Sequence, residues 1–124
     1  MNDIRLEEIP FEFDGKRYLL RCNMNVLADV QAAYGGDFGK ALDEKNIMTS
    51  VLEFLAAMMN DYADEQGWPE RWKARQLGRK IGYREIPSQE IMGLVLRAVT
   101  PQRAEDVSGS DTSGKQAEPG NPGN

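Results

Sequence analysis

The longest helical pattern in the chain runs from Ile47 to Ala63. Apolar residues recur there at steps of three and four and form two adjacent rows. A surface helix needs only one such row, so we expect a central helix over residues 47–65 that is packed on two sides. The first row contains Ile47, Val51, Phe54, Leu55, Met58 and Tyr62, and the second contains Met48, Leu52, Ala56, Met59 and Ala63.

Alternating apolar and polar residues predict a β-hairpin over residues 7–22. The two runs flank Asp14-Gly15, a dipeptide suited to a type I′ turn, which needs positive φ at both positions. That turn pairs Phe11 with Tyr18 on one face and opposite charges on the other. Because an isolated hairpin is marginal in water, we expect its apolar face to rest on helices. That face consists of Ile9, Phe11, Tyr18 and Leu20.

Four shorter helices are predicted around the central one. Asn23 or Asn25 can cap the first of them, and Gly35-Gly36 supplies the left-handed residue that ends it. Asp37 and Ser88 are the predicted caps of the second and the last. The last helix is apolar nearly all round, so we expect it to pack along the central helix. The predicted helices span residues 25–35, 37–43, 69–81 and 88–99.

From Gln102 to Asn124 the chain has no apolar periodicity and is dominated by Gly, Pro, Ser, Asp and Asn. Too little apolar surface is available there to offset the entropy of ordering, so we expect a disordered tail over residues 102–124. The sequence therefore predicts a mainly α-helical α+β fold. It consists of a single domain over residues 1–101, in which an N-terminal β-hairpin packs on a small bundle of four to five helices.

Cysteine and histidine content excludes several kinds of chemistry. Cys22 is the only cysteine, so no intrachain disulfide or cysteine metal cluster can form, and no histidine supplies a general base or metal ligand. No run approaches the roughly 20 apolar residues needed to span a bilayer, and the N-terminus lacks a signal-peptide pattern. We therefore expect no catalytic pair of the Ser-His or Cys-His kind, no cofactor, no metal and no membrane association. The protein is expected to stay in the compartment where it is made, in keeping with a reducing cytosol.

The net charge of −5 hides an asymmetry along the chain. Residues 1–66 carry 6 basic and 13 acidic side chains, whereas residues 67–84 carry 6 basic and 1 acidic. Trp68, Trp72 and Tyr83 are interleaved with these cations, a combination that can follow a phosphate backbone and stack on bases. The acidity of the rest of the chain argues against nucleic acid. The cations equally suit the protein's own acidic half or an acidic partner.

Other residues are candidates for a metal site or for partner binding. The run of Asp61, Asp64 and Glu65 is typical of a solvated helix end rather than of a metal or acid-base site. Met58 and Met59 are either gap-filling core residues or an adaptable apolar surface. If part of the central helix faces a partner, we expect it to be the end near Met59. The residues assigned to partner binding are Met58, Met59, Trp68, Trp72, Arg75 and Arg79.

Two stretches of the chain resemble a known family. The stretch from Ile9 to Gly36 (IPFEFDGKRYLLRCNMNVLADVQAAYGG) resembles the opening of tail assembly chaperones of long-tailed bacteriophages, which begin with an "IPFE-DGK-Y-LRF" hairpin and a helix. The segment from Arg71 to Ile81 (RWKARQLGRKI) is similar to the family's region before its last helix. With the expected disordered C-terminus, the resemblance covers about 100 of the 124 residues.

The resemblance implies a non-enzymatic chaperone in the cytoplasm of a bacterial host. Members of this family bind the tape-measure protein, keep its long hydrophobic helices soluble and recruit tail-tube protein around it. Many are also made in a longer form by a programmed ribosomal frameshift, for which the codons of Gly114-Lys115 are a candidate site. Two other functions stay open: a nucleic-acid-binding phage or host regulator that uses the basic segment 71–84, and a structural tail or connector component. Self-association also stays open.

Overall fold

The hairpin has the predicted register. In the computed structural model, which describes residues 6–101, strand β1 (Ile9–Phe13) pairs antiparallel with strand β2 (Lys16–Leu20). Asp14 and Gly15 both have positive φ, as a type I′ turn requires. Phe11 lies opposite Tyr18, and both are buried. The predicted tail over residues 102–124, which includes Gly114-Lys115, lies outside the described residues.

Helix α1 (Met24–Ala33) begins and ends on signals that the sequence carries. The side chain of Asn23 accepts a hydrogen bond from the Val26 N–H at 3.0 Å and so caps the helix. Gly35 and Gly36 both have positive φ just after the helix, which turns the chain away from the helical path.

The predicted helix over residues 37–43 is shorter than expected. Helix α2 spans only Phe38–Ala41. Asp37 is its N-cap residue, as predicted, but the Asp37 side chain makes no capping hydrogen bond. The side chain of Asp43 instead accepts a hydrogen bond from the Lys45 N–H at 3.0 Å. That bond starts a 3-10 turn at Glu44–Asn46, which leads directly into the next helix.

Helix α3 (Ile47–Gln66) is the predicted central helix, and it is the longest element of the described chain. It ends at Gly67, whose φ is 75°. The N–H groups of Gly67 and Trp68 bind the carbonyls of Asp64 and Ala63 at 3.2 and 2.9 Å. These two bonds satisfy carbonyls that the helix end would otherwise leave without partners.

The predicted helix over residues 69–81 is wrong in its first half. Residues 68–73 are not helical, and helix α4 covers only Ala74–Gly78. The side chain of Asn60, on α3, donates to the Trp72 carbonyl at 2.7 Å and accepts from the Trp72 N–H at 2.8 Å. Both backbone groups of Trp72 are thus satisfied by a distant side chain, which holds this segment extended across α3.

Helix α5 (Ser88–Val99) has the predicted bounds. Ser88 is its first residue rather than its cap, and the Ser88 hydroxyl donates to the Ile86 carbonyl at 3.4 Å. One side of α5 packs on α3, whereas Leu96 is exposed. Helix α5 therefore packs on the central helix, as predicted, while part of its apolar surface stays exposed.

Helix α3 lies at the centre of the fold, as its two apolar rows predict. It contacts α1, α4, α5 and β2. The fold is mainly α-helical with an N-terminal β-hairpin, and its hydrophobic core surrounds α3. The large side chains that are almost completely buried include Leu20, Val26, Val30, Phe54, Leu55, Met58, Met59, Leu77, Ile91 and Val95.

Candidate protein-binding surfaces

Met58 and Met59 lie in the core, so their assignment to partner binding is corrected. Met58 is 1% exposed and Met59 is fully buried. The face of α3 on which they lie is covered by neighbouring elements as far as Ala63. Tyr62, for example, packs edge-on against Trp68 with ring centres 5.6 Å apart. The expectation that α3 faces a partner near Met59 is therefore wrong.

Trp68 and Trp72 are half-buried, and both hold the segment after α3 against the rest of the protein. Trp68 packs edge-on against Tyr18 and Tyr62, with ring centres 5.4 and 5.6 Å apart. Trp72 packs edge-on against Phe13 of the hairpin at 5.4 Å. Such edge-to-face pairs stabilise the fold beyond the area that they bury. Both tryptophans thus have a structural role in addition to any contact with a partner.

The exposed apolar part of α3 is its N-terminal end. Ile47 is 43% exposed and Met48 is 63% exposed, and Leu42, shortly before them, is 37% exposed. The sequence predicts Ile47 as a core residue, and the structure corrects this. Large apolar side chains that are exposed close together mark interaction sites more often than isolated ones do. We refer to Leu42, Ile47 and Met48 as the apolar surface.

The apolar surface is exposed because α1, with 10 residues, is shorter than α3, with 20. At one end of α1, Asn23 donates to Asp61 at 2.7 Å. At the other end, the hydroxyl groups of Tyr34 and Ser50 are hydrogen-bonded at 2.7 Å. Helix α1 therefore covers α3 from Ser50 to Asp61, and the first turn of α3 extends beyond it. The predicted helices already differ in length, but that difference does not show which end of α3 is left uncovered.

Five exposed cations between residues 73 and 84 form a second candidate surface. Among the described residues, none of the five forms an ion pair with a carboxylate. Arg71, just before them, differs because it pairs with Asp64. Arg75 and Arg79, which the sequence assigns to partner binding, belong to the unpaired set. We refer to Lys73, Arg75, Arg79, Lys80 and Arg84 as the basic surface.

The carboxylates of Asp61, Asp64 and Glu65 do not converge on a common site. Each binds a different element, so together they tie α1, the segment after α3 and the end of the hairpin to α3. Within residues 6–101 no group of three or more side chains is arranged to hold a metal ion. The partners of the three carboxylates are Asn23 and Asn25, Arg71, and Arg21, respectively.

Three other ionisable groups are perturbed by their surroundings. Burial raises the pKa of the Cys22 thiol to about 11, so this cysteine stays protonated at neutral pH and is a poor nucleophile. Burial also raises the pKa of Glu53. Partial burial raises the pKa of Asp29, and the nearby charges of Asp61 and Asp64 add to that rise. Asp29 and Glu53 line a groove of about 450 Å³ where α1, α3 and α4 meet.

No helix in the described part of the chain is both long enough and apolar enough to cross a bilayer. The chain matches no protein-family model, no curated protein and no solved structure. A function therefore has to be argued from the two surfaces and from the residues that form them.

Proposed function

We propose that this protein is a non-enzymatic tail assembly chaperone of a long-tailed bacteriophage. In this proposal it binds the tape-measure protein and recruits tail-tube protein in the cytoplasm of the bacterial host. The observation that carries the proposal is the apolar surface, in which Ile47 and Met48 on the first turn of α3, and Leu42 shortly before that helix, are exposed. The resemblance of residues 9–36 and 71–81 to that family of chaperones supports it as well.

The apolar surface is suited to a reversible contact with an apolar stripe of a client helix. Helical clients present anchor residues at steps of three and four, which can pack on exposed Ile47 and Met48 side chains. A stable, specific interface buries roughly 1,200–2,000 Å² in total, far more than three side chains supply. Contact through this surface is therefore weak at any one site. Many copies bound along a long client would together shield its apolar stripe, and each copy could still dissociate.

The acidic part of the chain contributes to this function through solubility. Residues 1–66 carry 13 acidic and 6 basic side chains, so each bound copy adds negative charge to the complex. Like charge between complexes opposes their association and keeps them dispersed. An apolar client covered by this protein would thus present an acidic exterior to the host cytoplasm.

Co-expression with the tape-measure protein tests the proposal. Wild-type protein is expected to increase the soluble fraction of the client, and the double variant Ile47→Asp/Met48→Asp is expected to lose that effect. Because both side chains are exposed, the variant should keep the circular dichroism spectrum and melting temperature of the wild type. The measurement is the client's soluble fraction after centrifugation, compared with expression of the client alone.

Leu96→Asp is the matched control. Leu96 is also a large apolar residue and is 52% exposed, but it lies on α5, outside the apolar surface. The control should solubilise the client as well as the wild type does. The proposal fails if wild-type protein leaves the client as insoluble as it is alone. The assignment of client binding to the apolar surface fails if Leu96→Asp lowers the client's soluble fraction as much as the double variant does.

A nucleic-acid-binding regulator is the second candidate function, since the basic surface has no ion-pair partners among the described residues. The tryptophans weaken this alternative because both are packed against the hairpin and α3 rather than presented for stacking on bases. A structural tail or connector component would be found in purified virions, whereas a chaperone would not.

A further inference from the structure

We propose that the basic surface is a docking site for an acidic peptide segment of a second protein. This inference goes beyond the chaperone function, which rests on the apolar surface and not on these cations. The basic surface consists of five cations that follow one another within 12 residues of the chain and are all exposed: Lys73, Arg75, Arg79, Lys80 and Arg84. A partner that binds here would be held independently of a client at the apolar surface.

The first argument is the absence of internal partners for these cations. The chain carries 20 acidic and 15 basic side chains, so carboxylates are plentiful. Other cations use them: Lys16 pairs with Glu70, and Arg97 pairs with Glu7 at 2.6 Å. Within residues 6–101, no such pair involves the basic surface. Its cations repel one another, and a bound carboxylate segment relieves that repulsion.

The second argument is the shape of the surface beside α4. A cleft of about 490 Å³ lies there, and its wall includes Arg79, Lys80 and Gln76. An arginine side chain offers a planar fork of donors that matches a carboxylate, and a lysine adds a mobile point charge. Gln76 adds further hydrogen-bonding capacity to the wall, although its Oε1 already accepts the Lys73 N–H at 3.2 Å. The cleft is therefore able to hold acidic side chains of an extended peptide.

The third argument favours a peptide over a nucleic acid. Asp14 and Glu70 line the same cleft, and their charges oppose a continuous phosphate backbone. Duplex DNA carries one charge per roughly 1.7 Å, so it would continue past this short patch onto the acidic remainder of the protein. The ring face of Trp68, which could stack on a base, already has the Lys16 ammonium 5.2 Å from its centre. Asp14 and Glu70 repel an acidic peptide too, but a short peptide can end at Arg79 and Lys80 and needs neither a long anionic track nor an aromatic ring face.

Fluorescence anisotropy with the full-length chain tests this proposal. One probe is a labelled peptide of alternating Glu and Gly, and the other is a labelled oligothymidine with the same number of charges. We expect the peptide to bind at low salt and to weaken as the ionic strength rises toward about 0.15 M. The triple variant Arg75→Glu/Arg79→Glu/Lys80→Glu is expected to weaken peptide binding roughly tenfold or more.

The control Arg17→Glu/Lys40→Glu/Lys45→Glu changes the net charge by the same amount at sites outside the basic surface. It should retain peptide affinity within about twofold. If the triple variant does not fold, Arg75→Gln/Lys80→Gln replaces it and is expected to weaken binding to a smaller extent. The proposal would be overturned if the control and the triple variant lost peptide affinity equally, or if the wild type did not bind the peptide at low salt. Tighter binding of oligothymidine than of the peptide would assign the surface to nucleic acid instead.

Discussion

Ser50 is the buried polar side chain of the described core, with no exposed area. Its hydroxyl is hydrogen-bonded to that of Tyr34 at 2.7 Å. A buried hydroxyl without a partner is costly, so this bond both satisfies Ser50 and fixes where the end of α1 meets α3. The same contact leaves the first turn of α3 uncovered. One pair of hydroxyl groups thus helps to determine which apolar residues are exposed.

Replacing Tyr34 with Phe is expected to lower the free energy of unfolding by about 1 kcal/mol, because the Ser50 hydroxyl loses its partner in the core. Urea denaturation followed by circular dichroism measures the change. The matched variant is Tyr34→Phe/Ser50→Ala, which removes both hydroxyl groups. It should be more stable than the sum of the two single changes predicts, since no polar group is then left unsatisfied. Strict additivity would show that the bond contributes nothing.

At the scale of elements, the segment between α3 and α4 depends on Asn60. Two hydrogen bonds, at 2.7 and 2.8 Å, join its amide to the backbone of Trp72. Asn60→Ala is therefore expected to cost about 1–3 kcal/mol of stability. It should also accelerate amide hydrogen exchange at Trp72, and leave exchange at Ile91, in α5, less affected. Native-state hydrogen exchange monitored by NMR measures both positions.

Asn25→Ala is the control for that variant, since Asn25 also donates to a carboxylate of α3 but through one long contact of 3.3 Å at an exposed site. It should change stability by less than about 0.5 kcal/mol. If Asn60→Ala leaves exchange at Trp72 unchanged, the two hydrogen bonds do not hold this segment in place.

The elements that the sequence predicted well are those specified by neighbouring residues. The turn at Asp14-Gly15, the cap at Asn23 and the glycine at position 67 act within a few residues, so the hairpin, α1 and the end of α3 could be predicted. The segment 68–73 could not, because the side chain that holds it lies on another helix. Pro69 suits the first turn of a helix, but the distant contact of Asn60 outweighs that preference.

The candidate surfaces were only partly predictable for a related reason. Arg75 and Arg79 were predictable because a cluster of like charges is seldom buried. The exposure of Ile47 and Met48 depends instead on where α1 ends relative to α3, which is a property of packing. Periodicity shows that Met58 and Ile47 share a face of the helix, and it cannot show how far along that face the neighbouring helix extends.

For the molecule as a whole, most cations of the basic segment have no ion-pair partner among the described residues. Of the six cations between residues 67 and 84, only Arg71 pairs with a carboxylate of the described residues. Two carboxylates of the acidic part of the chain, Asp29 and Glu53, line one groove. The nearby charges of Asp61 and Asp64 help to raise the pKa of Asp29. Lys73 and Arg75 line the same groove but form no ion pair with either carboxylate there. Asp29 therefore lies among like charges as well as being partly buried, whereas Glu53 is perturbed by burial alone.

Replacing Asp29 with Asn and Glu53 with Gln is expected to stabilise the protein at neutral pH. The folded-state pKa of each carboxyl is raised above its ordinary value, 3.8 for Asp29 and 4.5 for Glu53. The folded state therefore binds protons more tightly than the unfolded chain, so the free energy of unfolding falls as the pH rises between the ordinary and the raised pKa.

The amide variant avoids that loss of stability, because its amides do not ionise. Its advantage should be full at pH 7 and should vanish below roughly pH 2.8, about one unit under the ordinary pKa of 3.8 for Asp29, where the carboxyls are protonated in both states. Urea denaturation across this pH range measures the difference, and Glu12→Gln, at an exposed position of the hairpin, is the control for exchanging a carboxyl for an amide. An advantage that is equal at both ends of the range would mean that the amides act through packing rather than through charge.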